Sequence, residues 1–284
     1  MKRFHFIVFL VLCFDVVLIV LAARLNFASE VCFNRVAAHS PTTEYSWYTV
    51  PRSDGQQPQD SPEFAFIKDF DGYWIGSPDE KVIYLTFDAG YENGYTAQIL
   101  DTLKKHDAPA AFFLVGHYMK SAPELVQRMT DEGHLVCSHS MNHKNMTVMT
   151  NFEQFQKEMD DLGAVYEEIT GKSLPPYFRP PEGRFSETML KYAQQLGYKT
   201  VFWSIAYKDW YVDAQPAEED AIKTIISRTH PGAVVLLHST SATNAAVLDR
   251  VLTQWEQMGY KLKSLDEFPF ATPTDALPFM GDTI

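Results

Sequence analysis

The chain has 284 residues, 46% of them hydrophobic and 21% charged, a globular composition with enough apolar material for one sizeable core. Its formal net charge of −12 argues against nucleic acid as a partner, since that requires a concentrated positive surface, but leaves room for a local basic pocket. Cys13, Cys32 and Cys137 are too few and too scattered for a disulfide framework or a cysteine metal site.

In chain order, the first feature is residues 6–23 (FIVFLVLCFDVVLIVLAA), an apolar run broken only by Asp15 and preceded by Lys2 and Arg3. It reads as a secretory signal or an N-terminal membrane anchor, the anchor favoured, and its basic flank places the bulk of the chain outside the cytoplasm. Residues 1–30 are assigned to this segment. Residues 31–62 follow as a stalk or linker with little core of its own, carrying Pro41, Pro51, Pro58 and Pro62 among Ser, Thr, Gln and Asp. The folded domain is expected over 63–268, and 269–284 is a C-terminal tail.

Within that domain, strands are expected at 82–87, 110–115, 134–137, 199–203, 233–237 and 260–263. Helices are expected at 95–106, 122–132, 151–170, 186–197, 217–229 and 243–258. Gly133, Gly171, Gly197 and Gly259 stand where helix terminators belong, and Ser121-Ala122-Pro123 looks like a cap followed by an early helical proline. Cys137 falls in a strand and reads as a buried thiol. Alternation of this kind implies a parallel α/β sheet, open or closed into a barrel, with its chemistry where strands end and loops begin.

The strand ends carry a set of polar residues. "IYLTFDAGYENG" (83–94) is a buried-strand pattern that stops at Asp88, Ala89 and Gly90. His139 and His143 in HSMNH follow the third strand, and Arg179 in RPPEG follows the apolar PYF. Asp209 and Trp210 in YKDW come just after VFWSI, and His238 ends AVVLLH. Each has an ordinary alternative: a strand-end Asp is often a cap, Trp210 is by default a core aromatic, and RPPEG makes a rigid turn. His139 and His143 are four apart, so a helix would put both imidazoles on one face as a zinc half-site. A buried Arg179 needs an acid, for which Asp88 is the natural candidate, and Asp209 is the group to orient His238.

The ordered motifs TFDAG, HSMNH, RPPEG, DW and LLH resemble those of the polysaccharide deacetylase (NodB-like) family, carbohydrate esterases that remove N-acetyl groups from cell-wall sugars. The resemblance covers roughly Glu63 to Phe268. TFDAGYENGYT, VFWSIAYKDW and HPGAVVLLH look closest to the sporulation-type branch, the N-acetylmuramic acid deacetylases that prepare peptidoglycan for δ-lactam formation. The resemblance implies a distorted (β/α) barrel. It also implies Asp88 as the base that activates water, Arg179 as its holder, and His238, supported by Asp209, as the acid that protonates the leaving amine. His139 and His143 become ligands of a divalent metal, zinc in the first instance, and Trp210 a substrate contact. The family usually places a second aspartate after the base as a third metal ligand. This chain has Ala89 there, as sporulation-type relatives also tend to, and that puts the cofactor in doubt. Relatives of that branch often carry a basic residue inside RPPxG. Here Glu182 occupies the position, and Arg184, two residues on, is assigned the lactyl carboxylate of muramic acid.

The leading expectation is therefore a secreted or membrane-anchored deacetylase acting on peptidoglycan glycan strands. A chitin-oligomer or N-acetylglucosamine deacetylase is the alternative within the class. A carbohydrate-binding module without catalysis is the alternative outside it, disfavoured because binding alone has no use for a base and an acid together.

Overall fold

The computed structural model describes residues 40–270 apart from Asp60 and Thr150. The apolar run at 6–23, Cys13, Cys32 and the tail beyond residue 270 lie outside the described residues. A short strand β1 (Tyr45–Ser46) and a 3-10 helix (Pro62–Phe70) precede β2 (Gly72–Tyr73) and β3 (Val82–Ala89). Then come α1 (Thr96–Lys105), β4 (Ala110–Leu114), α2 (Gly116–Ser121), α3 (Pro123–Asp131), β5 (Leu135–Ser138), α4 (Phe152–Thr170), β6 (Tyr177–Phe178) and β7 (Arg184–Phe185). The chain continues through α5 (Glu187–Gln195), β8 (Lys199–Val201), α6 (Glu218–Ser227), β9 (Ala233–His238), α7 (Ala242–Gln257) and β10 (Lys261–Leu262).

All eight residues of β3 are buried, as a continuous apolar run implies for a strand covered on both faces. It lies between β4 and β9, with β10 beside its first two residues, and every pairing is parallel. The sheet runs on through β5, β6 and β8 to β2. It curls until the chain after β8 meets β9 in a single parallel bridge, Ile205 to Val235, where Leu236 N–H donates to the Ile205 carbonyl at 2.8 Å. The barrel expected from the sequence is thus a curled and incomplete one, because β8 is only three residues long and little of it remains to pair with β9.

Strand alternation sorts the side chains. Ile83, Leu85, Phe87 and Ala89 pack outward with Leu100 and Leu103 of α1 and Trp255 of α7. Burial of each large member contributes on the order of 1.5–3 kcal/mol. Val82 and Tyr84 pack inward with Phe113 and Val234. Thr86 and Asp88 continue this inward row, so the barrel mouth receives a carboxylate. Leu236 and His238 continue the corresponding row of β9, and Asp88 and His238 are register partners on neighbouring strands.

The helix ends follow local chemistry. Asn151, Ser186 and Ser241 cap α4, α5 and α7 through side-chain acceptors. Ser121 does not cap α3. It closes α2 instead, its hydroxyl donating to the Tyr118 carbonyl, and Ala122 precedes the Pro123 that starts the next helix.

The segment expected as a linker is partly a wall of the fold. β1 pairs antiparallel with β7, and Trp47 stacks on Phe202 at 4.7 Å between ring centroids while its Nε1 donates to the Trp203 carbonyl at 2.8 Å. Gln57 Nε2 donates to the carbonyls of Gly76 and Pro231. Proline and polar content announced a linker, whereas Phe185, the register partner of Tyr45, and Phe202, on which Trp47 stacks, each lie more than a hundred residues downstream.

Candidate active site

Asp88 is nearly inaccessible, and its Oδ1 accepts from Arg179 Nη1 at 2.6 Å. Arg179 is completely buried. Its Nε donates to the Val201 carbonyl (2.9 Å) and its Nη2 to Thr86 Oγ1 (3.0 Å) and the Phe202 carbonyl (3.3 Å), and its guanidinium lies 4.1 Å from the Phe113 ring centroid. A buried guanidinium so fully engaged is a fixed charge. Burial alone would raise the Asp88 pKa, but Arg179, then His139 and His238, outweigh it and hold the carboxyl below its ordinary value. Asp88 is ionised at neutral pH.

His139 follows β5 directly. Its Nδ1 lies 2.8 Å from the Arg179 carbonyl, and a carbonyl can only accept, so Nδ1 carries the proton and Nε2 presents a lone pair. Burial lowers its pKa to about 4, so the 3.7 Å approach of Nε2 to Asp88 Oδ2 is no ion pair at neutral pH but two acceptors facing each other. The His143 ring is 5.0 Å from that of His139 between centroids. The HxxxH spacing does not work through a helix, as the spacing suggested. The two histidines share a loop bent by left-handed backbone at Ser140 (φ 67°) and His143 (φ 51°). Glu158 of α4 holds that loop, accepting from Asn142 N–H at 3.1 Å and Asn142 Nδ2 at 2.8 Å.

The donor chemistry suits a divalent cation: a neutral imidazole with a directed lone pair, a second imidazole beside it and a carboxylate opposite. Ala89 is buried and offers no ligand, and among the described residues no group of three His, Cys, Asp or Glu side chains is arranged to hold an ion. The residues therefore fit an ion held by two histidines, with fewer protein ligands than usual.

On the other side of Asp88, His238 Nδ1 donates to Asp209 Oδ1 at 2.7 Å, leaving Nε2 for the cavity. Asp209 is fully buried, and its Oδ2 accepts from His238 N–H (2.8 Å) and Asn244 Nδ2 (2.6 Å). Tyr207 in turn donates to Asn244 Oδ1. Burial opposes charging of His238, but Asp209, by charge and by hydrogen bond, and then Asp88 outweigh it, so its pKa is raised. One cavity of about 1110 Å³ reaches Asp88, His139, His143 and His238. Trp210 also lines it, 44% exposed, with its ring 5.7 Å from that of His238, a rim platform and no core residue. Arg184 does not line it. Its guanidinium is held by Glu182 at 2.8 Å and Glu44 at 3.4 Å, while Glu182 itself is in the cavity wall.

Sequence reasoning missed Glu158, Asn244 and the wall from Tyr48 to Pro51. Glu158 and Asn244 carry no signal beyond their places in the helices expected at 151–170 and 243–258, and the wall lies in a segment of linker composition.

A carboxylate held by a buried arginine, two histidines and an aspartate-backed imidazole thus gather at the C-terminal edge of a curled parallel sheet, a set of groups with the chemistry for hydrolysis. The chain belongs to the polysaccharide deacetylase family, whose pattern matches residues 75–201. It is 44% identical to the peptidoglycan-N-acetylmuramic acid deacetylase PdaA of Bacillus subtilis over 81% of this chain and 88% of the relative. The solved structure of Bacillus subtilis PdaA, a family 4 carbohydrate esterase, superposes with a TM-score of 0.78 at 41% identity, covering 81% of this chain and 98% of that one. A peptidoglycan-N-acetylglucosamine deacetylase of Bacillus cereus is 31% identical over 68% of this chain and 91% of the relative.

Proposed function

We propose that this chain hydrolyses the N-acetyl group of N-acetylmuramic acid in peptidoglycan, acting outside the cytoplasm. The observation that carries the reading is the opposition of Asp88 and His238. They sit side by side on β3 and β9, yet buried partners keep one ionised and favour protonation of the other. The 44% identity to a deacetylase of that sugar supports the substrate. A role before δ-lactam formation and attachment through residues 6–23 complete the proposal. We place the catalytic domain from Glu44, to include the wall that Trp47 anchors.

In this mechanism Asp88 Oδ2 accepts a proton from the attacking water, while Arg179 holds Oδ1 and fixes the carboxylate's orientation. The water oxygen bonds to the acetamide carbon. His238 then gives its Nε2 proton to the sugar nitrogen as the carbon–nitrogen bond breaks, releasing acetate and a free amine. Asp209 orients the ring and stabilises the imidazolium until that transfer. A divalent metal at His139 and His143, zinc in the first instance, would acidify the water and polarise the carbonyl. Trp210 offers its exposed face to a sugar ring at the rim.

A second reading, N-acetylglucosamine as substrate, is favoured by Glu182, a carboxylate in the cavity wall that would repel a free lactyl acid. Acetate release from peptide-free N-acetylmuramic acid strands, intact peptidoglycan and chitin oligomers, with and without zinc, decides between them. Release chiefly from peptide-free strands is the expected result. Release chiefly from chitin oligomers would establish the second reading and overturn the first.

A further inference from the structure

A second cavity of about 590 Å³ adjoins the catalytic one, and Gly90, Tyr91 and His143 line both. Its other walls are Val115, His117 and Lys120, from the end of β4 and from α2, and Met141 and Asn142 of the histidine loop. Lys120 is the formal cation in this lining and no acid accompanies it, on a chain whose net charge is −12. The main cavity, by contrast, mixes the carboxylates of Asp88 and Glu182 with Lys208 and Arg228. Among the described residues, Lys120 and His117 make no side-chain hydrogen bond or ion pair, so their donors are uncommitted. The cavity is also built to shape. Gly116 N–H donates to the Met141 carbonyl at 3.1 Å, and a Cβ at Gly116 would meet the Met141 sulfur at 2.2 Å, so α2 and the histidine loop are pinned face to face.

Resting on the muramic acid reading above, we propose that this second cavity seats the lactyl group on O3 of the target sugar, its carboxylate on Lys120 and His117 and its methyl against Val115 and Met141. The chemistry of the group matches the lining. A lactyl ether carries one small apolar branch and one acid, and the cavity offers an apolar floor with a cation beside it. The position matches as well. O3 and the acetamido nitrogen are borne on adjacent ring carbons, so a pocket for one substituent must open beside the site that hydrolyses the other. His143, with Gly90 and Tyr91, forms the wall the two share. This takes over the role expected of Arg184, whose charge is already engaged by Glu182 and Glu44.

The test is equilibrium binding, which does not depend on turnover. Calorimetry would compare a peptide-free muramic acid tetrasaccharide with the same sugar whose lactyl acid is converted to the carboxamide. The full chain should bind the acid roughly tenfold or more tightly, as loss of a charge-assisted hydrogen bond implies. Lys120→Met should remove that difference, and Lys120→Arg should restore most of it. No preference for the acid in the parent chain overturns the proposal. So does a preference that survives Lys120→Met, or one abolished by Lys208→Met in the main cavity instead. Acetate release from the same strands tests the reaction itself, so failure of the chemistry and failure of this subsite are read separately.

Discussion

Asp88 and Asp209 are both buried aspartates held by a basic side chain, and the proposed mechanism gives them opposite work. Asp88 is held by a charge that never leaves, so it stays a base. Asp209 is held by a ring that must cycle its proton. Asp88→Asn keeps an oxygen for Arg179 but removes the proton acceptor, and should lower the rate of acetate release by about 10²–10⁴, with circular dichroism unchanged. Parental turnover in a folded variant would remove Asp88 from the mechanism. His238 should set the alkaline limb of kcat/KM, because the acid is lost as pH rises through its pKa. The raised value puts that limb above the ordinary histidine value of about 6.5. Asp209→Asn removes the carboxylate that raises it, so the limb should move to lower pH; a pH profile that keeps its shape would contradict the assignment. These pairs were legible in the sequence because chemistry demands them: a buried arginine needs an acid, and a strand-end histidine needs an orienting group. Arg184 and Trp210 were harder, since nothing in a linear string says which way a loop residue faces. One turned out to be tied to Glu182 and Glu44, the other to be exposed at the cavity rim.

Between elements, two side chains join pieces that sequence alone leaves separate. Glu158 reaches from α4 to the loop of His139 and His143, where two residues hold left-handed backbone at a cost of roughly 1–3 kcal/mol each. Glu158→Ala should relax that loop and weaken zinc binding roughly 10- to 100-fold by calorimetric titration, as removal of an outer-shell support does. Unchanged affinity would mean the loop holds its shape unaided. His106, at the end of α1, places Nδ1 2.8 Å from Glu256 and Nε2 2.7 Å from Asp249, both on α7. Burial disfavours its charge, but the two hydrogen-bonded acids outweigh burial and raise its pKa. The contact therefore stabilises fully below about pH 6.5 and is lost as pH rises through the higher folded value. With both acids half exposed it contributes about 0.5–1 kcal/mol. His106→Ala should lower Tm at pH 5.5 and leave it nearly unchanged at pH 9; an equal drop at both would make this a packing contact. The helices themselves were readable from apolar spacing and caps. The histidine loop was not, because positive φ at serine and histidine is imposed by contacts and carries no residue signature.

Across the whole molecule, Trp47 shows how a segment of linker composition becomes part of the fold. Trp47→Ala removes a stacked ring and its hydrogen bond to the Trp203 carbonyl, and should cost about 3–5 kcal/mol in denaturant unfolding. KM should rise too, since Tyr48, Thr49 and Pro51 would lose their place in the cavity wall. Unfolding at the parental midpoint would return the segment to the linker it resembles. The parallel order of the sheet has another consequence, which concerns time. β3 sits between its successor in sequence, β4, and a strand that emerges far later, and the bond from Thr86 Oγ1 to the Val235 carbonyl spans 149 residues. Contacts of such separation form slowly, because loop closure precedes their reward. Asp88 and His238 are therefore brought side by side by a pairing, β3 with β9, that joins strands far apart in sequence. A chain folded only as far as β5 would hold Asp88, His139 and His143 yet lack His238, so in the proposed mechanism it would have a base and no proton donor until β9 is in place.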